Sequence, residues 1–197
     1  LLCDPDLSGV IKAVYHMGGG FEPARAGDDP LVWETPDISP EVWRDILRFN
    51  PLFDPEATAI VCRSGVPITL VPVNVTARVF QRPEHLASLA ENASPFHQHL
   101  HRHALPWLQW SMADRKLPGV HLHDPLTLAL VVKPDLVRYR RMWVDVDRLL
   151  RLEDPWLREL PLAVDNKGAE VTVAVSVDAE ASELWINARL AGSHGNS

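Results

Sequence analysis

Short apolar runs rich in β-branched residues alternate along the chain with longer stretches of mixed polarity. Three such runs predict buried strands, at residues 10–15, 67–73 and 171–177. The stretches between and after them predict helices at 41–47, 54–65, 83–116 (broken near Pro95 and Pro106), 126–132 and 179–190. Uniformly apolar strands that alternate with helices indicate the α/β class. We expect a mostly parallel central sheet with helices on both faces, in a single domain over residues 1–197.

The clearest local signal is a helix start at Asp54. An Asp followed by Pro55 and Glu56 supplies a capping side chain, a proline in the first turn and an acid near the positive end of the helix. The apolar stripe of this helix is expected at Ala57, Ile60 and Val61, and Gly65 is expected to end it.

Ligands of such sheets bind beyond the carboxyl ends of the strands. The segments to search are therefore His16–Gly20, Asn74–Thr76 and His121–Asp124. Residues 22–40 also attract interest, because 19 residues crowded with proline, glycine and aspartate form an unusually long loop. Trp33 in that loop either stacks on a flat ligand or anchors the loop by burial.

Charge and cysteine content narrow the class of partner. The net charge is −7, the opposite of the basic surplus typical of nucleic-acid binding, so we expect no nucleic-acid partner. The apolar run 126–132 is too short to span a membrane, and no membrane partner is expected. Two cysteines without metal-site spacing suit a cytoplasmic protein. The apolar start at Leu1 suggests that the predicted fold is incomplete at its amino end.

His123 and Asp124 form the most distinctive local motif. A histidine titrates near neutrality and can donate a proton to a leaving group, while an aspartate is a hard oxygen ligand suited to Ca²⁺ or Mg²⁺. Asp124-Pro125 also has the form of an ordinary helix cap, which the chain repeats at four other Asp-Pro pairs. The cap is the favoured interpretation on residue type alone.

Two further positions carry alternatives of the same kind. Asn50 can donate and accept hydrogen bonds at once, as a sugar hydroxyl requires, but asparagine also forms turns. Met17 precedes three glycines and is either a pocket residue or part of the core, with the core favoured.

Four histidines alternate with other residues between His97 and His103. On a helix, His97 with His101 and His99 with His103 have a spacing that can chelate Zn²⁺. The two pairs face different sides, so a solvated polar face is the favoured interpretation.

Taken in order, several motifs resemble the carboxyl-terminal part of the inosine–uridine-preferring nucleoside hydrolases. These motifs are Met17-Gly18-Gly19, Phe49-Asn50, Asp54-Pro55-Glu56-Ala57, Val71–Thr76, His123-Asp124-Pro125 and Leu162–Asp165. The resemblance implies hydrolysis of the N-glycosidic bond of a ribonucleoside, with Ca²⁺ holding the ribose hydroxyls and the attacking water. It further implies that Asp124 is a calcium ligand, that Asn50 and Met17 contact the ribose, and that His123 protonates the departing base. Members are commonly homodimers or homotetramers, and we expect the same here.

Three departures from the family pattern keep other functions open. The aspartate-rich amino-terminal motif is absent from this sequence, Arg48 stands where the family has Glu, and the 20–47 loop is long. Because one carboxylate cannot hold Ca²⁺, we expect this stretch alone to be inactive. One alternative is a nucleoside- or ribose-binding relative without catalysis. A second is a metal-binding or interaction protein organised by the histidine run. Base preference is left open.

Overall fold

The computed structural model describes residues 1, 4–20, 50–51, 53–91, 94–149 and 168–192. The strands in these ranges are β1 (Val14–Met17), β2 (Ile68–Val71), β3 (Phe80–Gln81), β4 (Val120–His121), β5 (Val137–Val144) and β6 (Ala169–Val177). The helices are α1 (Pro55–Arg63), α2 (Val73–Thr76), α3 (Pro83–Ala90), α4 (Pro95–Asp114), α5 (His123–Ala129), α6 (Val146–Leu149) and α7 (Ala179–Leu190). Single 3₁₀ turns lie at Pro5–Gly9 and Pro134–Leu136.

The chain divides into two compact units, and the first holds a four-stranded sheet. It is built from Leu1–Val75 and Val137–Val177. The strand order is β1-β2-β6-β5, in which β1, β2 and β6 run parallel and β5 pairs antiparallel with β6. The predicted α/β class with a mostly parallel central sheet is confirmed.

Aliphatic side chains of the sheet and of α1 make the core of this unit. Ile68, Leu70 and Val173 are buried together with Ala59 of α1. As predicted, α1 begins with a cap in which the Asp54 carboxylate accepts the Ala57 N–H at 2.9 Å. The predicted stripe is right at Val61, which packs against this core, but wrong at Ala57, which is exposed while Ala59 is the buried alanine.

The second unit comprises Thr76–Leu136 and Asp178–Ser197. Its antiparallel pair β3–β4 aligns Phe80 with His121, and α3 packs on α4 through Leu86, Leu89 and Leu108. An ion pair links β3 to α7: Arg82 Nε donates to the buried Glu183 carboxylate at 2.7 Å. Glu183 also accepts the Phe80 N–H at 2.9 Å, so its charge is satisfied on two sides.

Three predicted element boundaries are wrong. The first strand begins at Val14, and Val10 is 72% exposed. Helix α4 continues through Pro106, because a proline removes one helical hydrogen bond without preventing those on either side. Helix α5 begins at His123 rather than after Asp124, since the Leu122 carbonyl already accepts the Leu126 N–H at 3.0 Å.

Some predicted features lie outside the described residues. They are the 22–40 loop with Trp33, the helix at 41–47, Arg48, Phe49 and the motif Leu162–Asp165. By contrast, the predicted strand at 171–177 and helix at 179–190 are confirmed as β6 and α7.

The longest helix of the described ranges, α4, carries four histidines, and two tryptophans on it are exposed and stacked on each other (Trp107 and Trp110). None of the helices described is at once long enough and apolar enough to cross a membrane.

Gly119 allows β4 to approach β3 closely. A Cβ at this position would lie 2.3 Å from the Gln81 carbonyl oxygen, a backbone atom that cannot move aside independently. We therefore expect Gly119→Ala to lower the free energy of unfolding by about 1–3 kcal/mol, the usual range for overpacking. Urea denaturation would measure the change. Gly9→Ala is the matched control, because a Cβ there meets no atom within 4 Å, and an equal effect of the two substitutions would contradict this account.

Candidate functional site

Met17 and Asn50, two of the predicted substrate-binding residues, are in direct contact. Met17 is the last residue of β1, and its carbonyl oxygen accepts a hydrogen bond from Asn50 Nδ2 at 2.7 Å. The same amide nitrogen lies 3.7 Å from the Met17 sulfur. Met17 is also buried, so its core role and its contact with Asn50 coexist.

The backbone at Asn50 accounts for both interpretations of this residue. Its φ is +62°, in the left-handed region that asparagine tolerates better than most residues, so Asn50 does form a turn. Its side chain is nevertheless fixed by Met17. That contact uses only the amide nitrogen Nδ2, so the Asn50 Oδ1 atom can still accept a hydrogen bond from a ligand.

The glycines after β1 are held at the carboxyl end of the neighbouring strand. The Gly18 N–H donates to the Val71 carbonyl at 3.2 Å, and the Gly19 carbonyl accepts the Val73 N–H at 2.9 Å. Gly18 and Gly19 have φ values of +139° and +66°, which residues with a Cβ atom rarely adopt. This segment thus lies at the sheet edge where ligands of α/β proteins bind.

A cavity of about 280 Å³ lies beside Asn50 within the same unit. It is lined mainly by aliphatic side chains of the sheet and α1, together with the polar or sulfur-bearing residues His16, Asn50, Asp54, Thr58 and Cys62. Burial lowers the pKa of His16, so its imidazole is neutral at pH 7. The lining is thus largely apolar, with Asn50 and Asp54 among its few polar groups.

His121 and His123 lie side by side in the second unit. His121 ends β4, His123 begins α5, and the two ring centroids lie 4.9 Å apart. His121 also packs on Phe80 at 4.5 Å. Between the histidines, Leu122 is buried, and its N–H donates to the Val79 carbonyl at 2.9 Å.

His123 is held through one ring nitrogen. Its Nδ1 atom lies 2.7 Å from the hydroxyl oxygen of Thr76, which is completely buried at the end of α2. The Thr127 hydroxyl donates to the His123 carbonyl at 3.1 Å. These contacts fix the position of His123 within this unit and leave Nε2 as the ring nitrogen available to a ligand.

The expectation that His123 titrates near neutrality is wrong. Burial lowers its pKa to about 4, an effect that the charge of Asp124 opposes and that of Arg115 reinforces. The pKa of His121 is also lowered to about 4, by burial first and then by the charges of His123 and Arg115, against a hydrogen bond to the Ala77 backbone. Both imidazoles are therefore neutral at pH 7.

Asp124 does not cap helix α5. The capping position is occupied by Leu122, without a side-chain hydrogen bond, and Asp124 lies exposed in the first turn. By contrast, the carboxylates of Asp4, Asp54 and Asp178 each accept a backbone N–H at the start of their helices. The favoured cap interpretation is thus wrong for Asp124. The remaining structural effect of its charge is a modest stabilisation of the first turn.

The histidine run lies on α4 as predicted. His99 and His103 are exposed with ring centroids 4.3 Å apart, whereas His97 has both ring nitrogens buried and without a hydrogen-bond partner in the described ranges. Among the residues that the structure describes, no three His, Cys, Asp or Glu side chains are close enough to hold a metal ion.

Thr76 was named only as part of the segment Asn74–Thr76, without a role of its own, and Arg115 was not named. Thr76 belongs to a segment that the sequence marks as the end of a strand, but its partner His123 is 47 residues away. The charge of Arg115 helps to lower the pKa of both imidazoles, and its guanidinium lies over the Trp110 ring at 4.5 Å. No local pattern signals either role.

The two neutral imidazoles predict a loss of stability in mild acid. The ordinary histidine pKa is 6.5 and the folded value here is about 4, so the folded chain binds these protons less readily than the unfolded chain. This contribution is present above pH 6.5 and is lost as the pH falls towards 4. Each imidazole lowers the free energy of unfolding by roughly 2 kcal/mol between pH 7 and pH 5.

Urea denaturation at pH 8, 7 and 5 measures this dependence. We expect little change between pH 8 and 7, and a smaller decrease at pH 5 in the variant His121→Phe, which retains a ring against Phe80. A variant that loses as much stability at pH 5 as the parent would show that His121 contributes nothing.

The family model described as "Inosine-uridine preferring nucleoside hydrolase" matches residues 1–183. The chain is 31% identical over 149 residues to a pyrimidine-specific ribonucleoside hydrolase, RihA, of Shewanella woodyi. The aligned stretch covers 75% of this chain and 42% of that protein. It is 27% identical over 144 residues to uridine nucleosidase 1 of Arabidopsis thaliana, covering 73% of this chain and 38% of that protein. The aligned part of the chain thus covers less than half the length of these two curated relatives.

The fold is likewise similar to a solved structure of this kind. A purine-preferring ribonucleoside hydrolase from Gardnerella vaginalis matches with a TM-score of 0.72 and 23% identity, over 98% of this chain and 56% of that one. The family model covers most of the chain, and the fold agrees with it. The chain belongs to the inosine–uridine-preferring nucleoside hydrolase family.

Proposed function

We propose that this chain serves in the hydrolysis of the N-glycosidic bond of ribonucleosides to ribose and free base. Membership of the nucleoside hydrolase family supports the reaction class. The observation that carries the proposal is the state of Asp124, whose carboxylate is exposed and not engaged in a helix cap. It lies next in the chain to an imidazole whose position is fixed by Thr76.

His123 is the group that we assign to the departing base. Cleavage of a glycosidic bond leaves positive charge on the sugar and negative charge on the leaving group, which a hydrogen-bond donor stabilises. With a pKa of about 4 the ring is neutral at pH 7, so it acts as a neutral N–H donor rather than as an imidazolium. The free Nε2 atom is the position from which it would donate.

Met17 and Asn50 are assigned to the ribose. The Asn50 amide is held by the Met17 carbonyl at 2.7 Å, so its orientation is set before a ligand binds. A pre-oriented amide oxygen can accept from a sugar hydroxyl without a further ordering cost. The Met17 side chain would contribute apolar contact to the same sugar.

Asp124 is assigned as one oxygen ligand of Ca²⁺, which when bound would orient ribose hydroxyls and activate water. Ca²⁺ takes six to eight oxygen ligands, and the described residues offer no cluster of three acidic or imidazole groups. The described residues alone therefore do not fit a complete calcium site. We propose that hydrolysis needs carboxylates beyond these, such as the family's aspartate-rich segment.

The lack of a complete set of calcium ligands among the described residues favours a second candidate function, that of a nucleoside-binding relative that does not cleave its ligand. In either case we place the protein in the cytoplasm, in nucleoside salvage, as a homodimer or homotetramer. The relatives' names include both pyrimidine-specific and purine-preferring enzymes, so both inosine and uridine are to be tested.

Hydrolysis of inosine and uridine, followed by release of free base, tests the proposal. We expect no Ca²⁺-dependent turnover by the 197-residue chain, and turnover by a chain extended at its amino end with the family's aspartate-rich segment. In the extended chain, Asp124→Ala should abolish the Ca²⁺ dependence, because it removes a ligand. Equal turnover by the two chains would contradict the assignment, and binding without base release would favour the second candidate.

A matched stability control accompanies Asp124→Ala. Because Asp124 accepts no capping bond, its replacement should lower the free energy of unfolding by no more than about 0.5 kcal/mol. Asp54→Ala, which does remove a capping bond, should cost about 1 kcal/mol. If Asp124→Ala lowered the free energy of unfolding as much as Asp54→Ala, the loss of activity in Asp124→Ala would be explained by destabilisation of α5 and not by loss of a ligand.

Asn50→Gly separates the two roles of Asn50. Glycine adopts a φ of +62° without strain, so the turn should survive and the free energy of unfolding should change little. The amide is lost, and we expect the KM of the extended chain for nucleoside to rise about 10-fold, the equivalent of one hydrogen bond of about 1.4 kcal/mol. An unchanged KM would assign Asn50 to the turn alone.

A further inference from the structure

We infer that Thr76 is a positioning residue that places the imidazole proton of His123 on Nε2. The inference concerns the same site as the proposed function, and its catalytic consequence rests on that proposal. It starts from one contact: the Thr76 hydroxyl oxygen lies 2.7 Å from His123 Nδ1, a short and well-formed hydrogen bond.

The direction of this bond follows from burial. The Thr76 side chain is 0% exposed, and its hydroxyl hydrogen must therefore find an acceptor inside the protein. Within the described ranges, His123 Nδ1 is the only partner that the hydroxyl has. If Nδ1 carried the proton, both atoms would present hydrogens and the hydroxyl hydrogen would be left unpaired. The hydroxyl therefore donates, Nδ1 accepts, and the ring proton lies on Nε2.

The surrounding contacts prevent the ring from turning to exchange its nitrogens. The centroid of the His123 ring lies 4.9 Å from that of the His121 ring, and the His121 centroid lies 4.5 Å from that of Phe80. The backbone of His123 is held by the Thr127 hydroxyl at 3.1 Å. A flip would place a carbon against the Thr76 hydroxyl and break the only bond that this buried group makes.

Thr76 and the following residue together hold both imidazoles. The Thr76 hydroxyl binds His123, and the backbone of Ala77 binds His121. The turn after α2 is itself closed by the Val79 N–H, which donates to the Thr76 carbonyl at 3.3 Å. This segment therefore sets the orientation of the paired rings, and Nε2 of His123 is presented as a hydrogen-bond donor. The ligand group that it suits is an acceptor atom, such as a ring nitrogen or carbonyl oxygen of a departing base.

The position of the proton can be measured without any ligand. In ¹⁵N-labelled chain at pH 7.5, two-bond ¹⁵N–¹H correlation spectra distinguish a protonated ring nitrogen from an unprotonated one. We expect His123 to show an unprotonated Nδ1 and a protonated Nε2. A protonated Nδ1 in the parent chain would overturn the inference, whatever the behaviour of any variant.

Variants then test whether Thr76 is the cause. Thr76→Val keeps the shape of the side chain and removes the hydroxyl, so we expect the His123 signals to move to an average of both tautomers. Thr76→Ser should restore the parent spectrum. Thr127→Val is the matched control, because it removes a hydroxyl bonded to the His123 carbonyl and not to the ring. A Thr76→Val chain that folds and keeps a pure Nε2–H tautomer would overturn the role of Thr76.

Turnover by the chain extended at its amino end tests the catalytic consequence of the inference. Loss of a group that orients a functional side chain commonly costs 10- to 100-fold, so Thr76→Val should lower kcat about 10- to 100-fold with KM changed less than about 2-fold. Thr76→Ser should recover most of kcat. An unchanged kcat in Thr76→Val would overturn the catalytic consequence. Failure of the extended chain without substitution to release base, with the expected tautomer in its spectrum, would instead count against the proposed function alone.

Discussion

The hydrogen bond from the Leu122 N–H to the Val79 carbonyl, 2.9 Å long, determines the arrangement of the candidate site in the second unit. It extends the pairing of β3 with β4 by one residue and buries the Leu122 side chain. His121 and His123 flank this buried residue, and their ring centroids lie 4.9 Å apart. The Leu122 carbonyl accepts the first bond of α5, so the same residue ends the extended segment and starts the helix.

The pairing of Leu122 with Val79 explains why the neighbours of Asp124 in the sequence wrongly predict that it caps a helix. Asp-Pro is a strong capping signal, and it is correct at Asp54, where the carboxylate accepts the Ala57 N–H at 2.9 Å. At Asp124 the strand pairing places the helix start two residues earlier, and the carboxylate falls inside the first turn. Tertiary hydrogen bonds therefore override a local signal that is otherwise reliable in this chain.

The parts of the fold that could be predicted are those with strong local patterns. The strands β2 and β6 were predicted from their continuous apolar, β-branched runs and α7 from the stretch that follows β6, and the α/β class followed from the alternation of strands and helices. Strand β5 was missed because three arginines interrupt its apolar residues, a composition that an exposed strand face tolerates. The two-residue strands β3 and β4 are too short to give any periodic signal, and their pairing depends on the close approach at Gly119.

The candidate site likewise has a part that the sequence predicts and a part that only the structure reveals. The family resemblance nominated Met17, Asn50, His123 and Asp124 as site residues, whereas residue type alone favoured structural roles for Met17, Asn50 and Asp124. The geometry added what motifs cannot carry: that the Asn50 amide is already bonded to Met17, and that a buried threonine 47 residues from His123 holds its ring. Both additions are fixed polar contacts between residues distant in the chain, and such contacts have no sequence period.

The buried surroundings of His123 give the Thr76 contact its significance. A histidine that titrates near neutrality exchanges its ring protons readily and can donate from either nitrogen. With its pKa lowered to about 4, this ring carries one proton at pH 7, so the choice of nitrogen decides whether it meets a ligand as donor or acceptor. A site that must stabilise charge developing on a leaving group needs the donor. In this chain a single hydroxyl, buried at the end of α2, makes that choice, so the chemistry of His123 depends on a residue that need not touch the substrate.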